Sequence, residues 1–159
     1  MELNLQDVLS LMPFLIQMYY FCLIFYYKDR ERNLKVFIGM LSSAFIAQFM
    51  KYTISYPKYL YKYIMRPPDA CNCNYLSNNG SISLNTPGFP SGHMATTAFF
   101  VLYNIETLKN NYLLITLNTV YFFMMGWARI VKKCHNIYQV IGGSLLGGLI
   151  YKLIPKILY

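Results

Sequence analysis

Charge is the first thing this sequence lacks. Only 13% of its 159 residues are charged, while 56% are hydrophobic; an average soluble domain carries about 25% charged residues. The few charges are clumped, leaving long runs with none, which excludes an ordinary soluble domain. The period-two alternation of a transmembrane barrel is also missing, as are internal repeats and low-complexity tracts. The flank ahead of the first apolar run, Met1 to Asp7, has Glu2 and Asp7 but no lysine or arginine. A secretory leader needs a positive flank there, so the first run reads as a retained span. Histidine is scarce too, with only His93 and His135 present.

What remains is a series of apolar stretches. Val8 to Tyr27 is uncharged and has about the 20 residues that a spanning helix needs. Lys28 to Lys35 forms a charged, solvated connector, and Val36 to Met50 is the core of a second run. Further runs follow at Met94 to Ile105, which reaches spanning length only with its flanks, at Asn110 to Ala128, and at Ile137 to Tyr159, where Lys152 and Lys156 can snorkel. Lipid offers the backbone no hydrogen-bond partner, so each span must be helical. The expectation is an all-α, multi-pass transmembrane helical bundle forming one domain, with about five spans near residues 8–27, 35–56, 93–108, 111–128 and 137–157. The net charge of +8 does not argue for nucleic acid, because half of it lies in juxtamembrane loops that anionic lipid accounts for.

Five spans put the loop between spans two and three on the same face as the loop between four and five. These loops carry His93 and His135. The positive flank after the first span favours an outside N-terminus, and with it a lumenal or exterior histidine face. Seven of the fourteen basic residues lie on that face, but several of them resemble anion ligands more than topology signals.

The first of these loops ends Pro87-Gly88-Phe89-Pro90-Ser91-Gly92-His93 and runs directly into the third span. Ser can cap a helix, Gly lets the backbone approach a ligand, and the free amides of a helix start suit a phosphate. An ordinary helix start would use the same residues. The other loop carries Arg129 and His135 around a short turn, which could be a simple positive flank or a phosphate grip, since a guanidinium binds phosphate with a planar fork. Tyr59 to Met65 reads as a helical extension stopped by Arg66-Pro67-Pro68, with Lys62 four residues before Arg66 and so on its face.

The arrangement resembles the type 2 phosphatidic acid phosphatase superfamily, the lipid phosphate phosphatases. Its signature is Lys-x6-Arg-Pro, then Pro-Ser-Gly-His, then Ser-Arg-x5-His-x3-Asp. Arg66-Pro67, Pro90-Ser91-Gly92-His93 and Arg129-x5-His135 match in order and at span ends. The resemblance implies a phosphatase without metal or cofactor that works through a phosphohistidine. On it His135 is the nucleophile and His93 the acid for the leaving oxygen. Arg66, Arg129, Ser91, Gly92 and a lysine, Lys62 or Lys58, hold the phosphoryl oxygens. The implied partners are a phosphatidate-like or isoprenyl diphosphate lipid and the membrane.

The pattern departs from the family's in several places. Gln139 stands where the family has Asp, so the nucleophile-orienting group brings no charge. Ala128 replaces the Ser before Arg129, and Tyr59 occupies the lysine position. Lys51-x6-Lys58 fits the spacing as well, which would leave Arg66-Pro67 as an inserted piece. The chain is one span shorter than the six-helix family core. Gln139 motivates a second reading, a weak or inactive relative that binds lipid phosphate or scaffolds a membrane complex. Cys71, Cys73 and Cys134 share the histidine face. They allow a disulfide from Cys134 to Cys71 or Cys73, free thiols, or a zinc site with His135. Cys22 reads as a packed apolar residue. Asn79-Gly80-Ser81 is a glycosylation sequon or a plain turn, and Gly143 and Gly147 predict close helix packing. Heavy use of Tyr, Ile, Asn and Lys points to an AT-rich genome, viral or parasitic, and so to a host endoplasmic-reticulum or viral membrane.

Overall fold

The computed structural model describes residues 5–54, 57–68, 70, 73, 86–108 and 110–157, with side chains described as far as Ile154. Cys71 and the Asn79 sequon lie outside the described residues. The long helices are α1 (Leu5–Tyr26), α2 (Arg30–Thr53), α4 (Gly92–Thr107), α5 (Tyr112–Val131) and α6 (Ile137–Ile157). Between α2 and α4 come a 3-10 turn, Lys58–Leu60, and the one-turn helix α3 (Tyr61–Ile64). Among the described residues the only β pairing is an isolated antiparallel bridge between Met65 and Pro87. The molecule is an all-α membrane bundle, as its charge-free runs require.

Helices α1, α2, α5 and α6 are long and apolar enough to cross a membrane. α4, the expected third span, has 16 residues and rises about 24 Å, less than the roughly 30 Å hydrocarbon core. It can be short because it is the buried centre, touching all four other long helices. Met94, Ala95, Thr96, Thr97, Ala98 and Phe99 are all buried, and Phe99 joins Val36, Met40, Ile150 and Ile154 in one cluster.

Small residues bring α4 close to its neighbours. A Cβ on Gly143 would come within 2.3 Å of the Ser91 carbonyl oxygen, and one on Gly147 within 2.2 Å of the Ala95 carbonyl oxygen. This is the tight packing expected of that glycine pair. On the opposite side, Gly39 of α2 leaves room for the Phe99 ring. The outer faces present Leu15, Phe45, Phe123 and Leu145, apolar groups suited to lipid.

Two local expectations change. The connector is shorter than Lys28 to Lys35, because α2 already begins at Arg30. The Lys35 ammonium bonds Glu31 at 2.6 Å, an i,i+4 pair that keeps charged residues helical. The extension after α2 also stops earlier. Met65 is extended (φ −73°, ψ 149°), so Arg66 leaves the helix and does not share a face with Lys62.

Candidate functional site

Among the described residues there are five long helices, and the site gathers at the end of the bundle where α1, α4 and α6 begin and α2 and α5 finish. Parity predicts this meeting of loops, and hydrogen bonds make it. Arg66 Nη1 donates to the Cys134 carbonyl at 3.2 Å. Asn136 Nδ2 donates to the Tyr63 carbonyl at 3.1 Å, and the Ser91 amide donates to the Gln139 carbonyl at 3.0 Å. The Tyr63 and Tyr138 rings meet edge-on, 4.7 Å between centroids.

Each motif is shaped by its local sequence. Ser91 caps α4, its Oγ accepting from the Met94 amide at 3.5 Å, and Gly92, the first residue of α4, lines the cavity described below. After α5, Lys133 takes a left-handed conformation (φ 54°). The Cys134 and His135 amides then both turn back to the Arg129 carbonyl, at 3.1 and 3.2 Å. This αL reversal carries His135 back into the bundle, where only 2% of it is exposed.

Cys73 and Cys134 form a disulfide, with Cα atoms 5.4 Å apart. Of the three cysteine alternatives, the structure therefore selects the disulfide to Cys73. Its two sulfurs are bonded to each other, so they are not ligands of the zinc site considered above.

A cavity of about 210 Å³ is lined by Lys51, Arg66, Gly92, His93, Thr96 and His135, with Ser10, Pro13, Phe14 and Gln17 from α1 and Ala44 and Gln48 from α2. Both histidines, Arg66 and Gly92 thus come together. Lys58 and Lys62 do not, since both are exposed and Lys62 lies 6.0 Å from the Tyr63 ring centroid. The lysine present is Lys51, 7% exposed, with its Nζ 2.9 Å from Gln48 Oε1 and near the backbone of Gly92.

Ser91 and Arg129 stand behind the cavity wall. Arg129 is fully buried, donating from Nη1 to Ser10 Oγ and from Nη2 to the Cys73 carbonyl, both at 2.9 Å. Among the described residues, Lys51, Arg66 and Arg129 have no carboxylate partner. Ion pairs among the described residues lie elsewhere, at Lys35–Glu31 and Lys132–Asp7. Clustered, shielded cations without a counter-charge favour an anion in their midst.

His135 Nδ1 lies 3.0 Å from Gln139 Oε1. The amide nitrogen of Gln139 faces the carbonyls of Tyr63, Ile64 and Met65 at 3.2, 3.0 and 2.7 Å. A donor belongs beside three carbonyls, its two hydrogens shared among them, so the NH2 group lies there and Oε1 is left as an acceptor. Nδ1 of His135 must then carry its hydrogen, and Nε2 keeps a free lone pair. Gly88 makes this possible, because a Cβ there would fall 2.4 Å from Gln139 Oε1. Burial above all, and then the charges of Arg129, Arg66 and Lys51, hold the His135 imidazole well below its ordinary pKa, which favours the neutral ring.

The family model of the PAP2 superfamily matches residues 32–159. The chain belongs to the PAP2 superfamily. Its fold is also similar to the crystal structure of the first transmembrane PAP2 type phosphatidylglycerolphosphate phosphatase from Bacillus subtilis. The TM-score is 0.62 at 19% identity, over 96% of this chain and 74% of that one. Among curated protein sequences, none matches. The PAP2 fold is a membrane-phosphatase fold.

The PAP2 match begins inside α2, so α1 lies outside it, although α1 supplies Ser10, Pro13, Phe14 and Gln17 to the cavity wall. These residues and Gln48 were missed in the sequence. A signal for them exists, because polar side chains within apolar spans usually face a cavity or another helix, and Ser10, Phe14 and Gln17 recur at helical spacing.

Proposed function

We propose that this PAP2 protein hydrolyses a lipid phosphate through a phosphohistidine at His135. The observation that carries the reading is the convergence, on one cavity at an end of the bundle, of two imidazoles and two cations, Lys51 and Arg66, that have no carboxylate partner among the described residues. The phosphoryl oxygens lie against Lys51, Arg66 and the first amides of α4. Arg129 adds positive charge from behind and keeps the Ser10 and Cys73 segments in place.

His135 Nε2 attacks phosphorus. The bond from phosphorus to the lipid oxygen breaks, and His93 gives that oxygen its proton. Water, deprotonated by His93, then cleaves the phosphorus–nitrogen bond and releases inorganic phosphate. The cations stabilise charge on the transferring phosphoryl group, so the reaction proceeds in EDTA. The disulfide supports a lumenal or exterior placement of the site, where oxidised cysteines persist.

Gln139 supports a second reading, a relative that binds lipid phosphate but turns it over weakly, because a neutral amide does not stabilise the imidazolium that forms. Phosphate release from phosphatidate or an isoprenyl diphosphate in EDTA, measured for wild type and His135→Ala, separates the two. The first reading expects release that His135→Ala abolishes, and the second expects lipid binding with little release.

A further inference from the structure

The cavity continues past Lys51, Arg66 and His135 along α1 and α2. At the far end of the bundle α1 and α2 close on each other: Phe21 and Phe37 lie 5.3 Å apart, and Asn33 Nδ2 donates to the Leu23 carbonyl at 3.4 Å. Toward the site the cavity lies between these two helices, with Pro13, Phe14 and Gln17 on one wall and Ala44 and Gln48 on the other. Seven residues separate Ser10 from Gln17, a rise of about 10 Å. Phe14 is 50% exposed and Gln48 is exposed, so this end of the cavity borders the lipid.

Gln17 is out of place for a helix that only packs against lipid. Its Nε2 is shielded, and it meets no hydrogen-bond partner among the described residues. A buried amide hydrogen without an acceptor is costly, and hydrocarbon beside it cannot relieve that cost. A ligand group that accepts a hydrogen bond, placed one headgroup's length from the phosphate, can. The acyl ester carbonyls of a glycerolipid are such acceptors, whereas an isoprenyl chain carries none beyond its phosphate.

We propose that the α1 wall is a second subsite, in which the Gln17 amide donates to an ester carbonyl of a glycerolipid whose phosphate lies among Lys51, Arg66 and His135. The proposal rests on the lipid phosphate reading above and assigns Gln17 as the residue that favours glycerolipids over isoprenyl phosphates. About 210 Å³ accommodates the phosphate and glycerol ester region, while the tails leave between α1 and α2.

Equilibrium binding in detergent micelles tests this on a His135→Ala background, where nothing is turned over. The ligands are dioleoyl phosphatidate and farnesyl monophosphate. Gln17→Leu is expected to weaken phosphatidate binding about tenfold, the worth of one shielded hydrogen bond, and to leave farnesyl monophosphate unchanged. Gln17→Met, which keeps the side chain's length without its amide, is run beside it and should behave alike. Equal change for both lipids in both variants, or change for neither, overturns the subsite. If the parent protein binds neither lipid, the lipid phosphate reading itself fails, a result distinct from the first.

Discussion

Gln139 accepts a hydrogen bond from His135 Nδ1 at 3.0 Å while its own amide nitrogen is held by three backbone carbonyls. The residue that departs most from the family pattern therefore keeps the orienting half of the carboxylate's task. It fixes the tautomer and the ring, and it gives up only the charge. The carbonyl oxygens of Tyr63, Ile64 and Met65 face the position where a Glu, the charged isostere, would place a second anionic oxygen.

This arrangement predicts that restoring charge does not restore rate. Gln139→Glu keeps the length but turns the donor into an oxygen facing three carbonyls. It should lose stability by about 2–4 kcal/mol and lose activity with it. Gln139→Leu should lower kcat by about a hundredfold or more, as in other histidines deprived of their orienting acceptor. Thermal denaturation and phosphate release check both, and a faster Gln139→Glu enzyme would contradict the account.

The lowered pKa of His135 has a definite sign. A pKa pushed down means that the neutral, nucleophilic ring persists below the ordinary value of about 6.5. Two histidines make the measurement simple: in a His93→Gln variant, 15N-labelled histidine reports His135 alone. At about pH 6 the spectrum should be that of a neutral ring protonated at Nδ1. An imidazolium signal there would be inconsistent with the buried, cation-lined site.

On the proposed function, Lys51 is the lysine that meets the phosphate, beside Arg66. Lys51→Met is expected to lower kcat/KM by about 10²–10³, the usual cost of removing one preorganised stabilising group. Lys58→Met and Lys62→Met, whose side chains are exposed, should stay within about twofold of wild type, as surface changes do. A large loss in either of these two with none in Lys51→Met would reverse the assignment.

The Cys73–Cys134 disulfide ties the segment that grips Arg129 to the turn that carries His135. Cys134→Ser should shift mobility on a non-reducing gel. It should also lower stability by about 2–4 kcal/mol and reduce activity, because the Cys73 carbonyl no longer holds Arg129 in place. Unchanged mobility between variant and wild type would count against the bond.

Much of this architecture is legible in the sequence because lipid is an unforgiving solvent. Charge-free runs of spanning length can only be helices, and parity then brings the loops of His93 and His135 together without any knowledge of packing. Ser91 is readable as a cap for the same local reason. The lysine is harder to read. Lys62 shares a helical face with Arg66 only if the helix continues to Arg66, and the residue before Pro67-Pro68 leaves it. Lys51 is the lysine at the cavity because α2 ends beside Gly92, a relation set by tertiary packing. The choice of Cys73 over Cys71, and the contribution of Ser10 and Gln17 from a helix with no motif of its own, likewise depend on contacts between segments far apart in the chain.

On the proposed function, His135 takes the phosphoryl group. Rapid quenching into base during turnover of 32P-phosphatidate, in the presence of EDTA, traps a phosphohistidine if one forms. Label is expected on the peptide containing His135, and neither label nor phosphate release in His135→Ala. Phosphate release that survives in His135→Ala, or label on another residue, would contradict it.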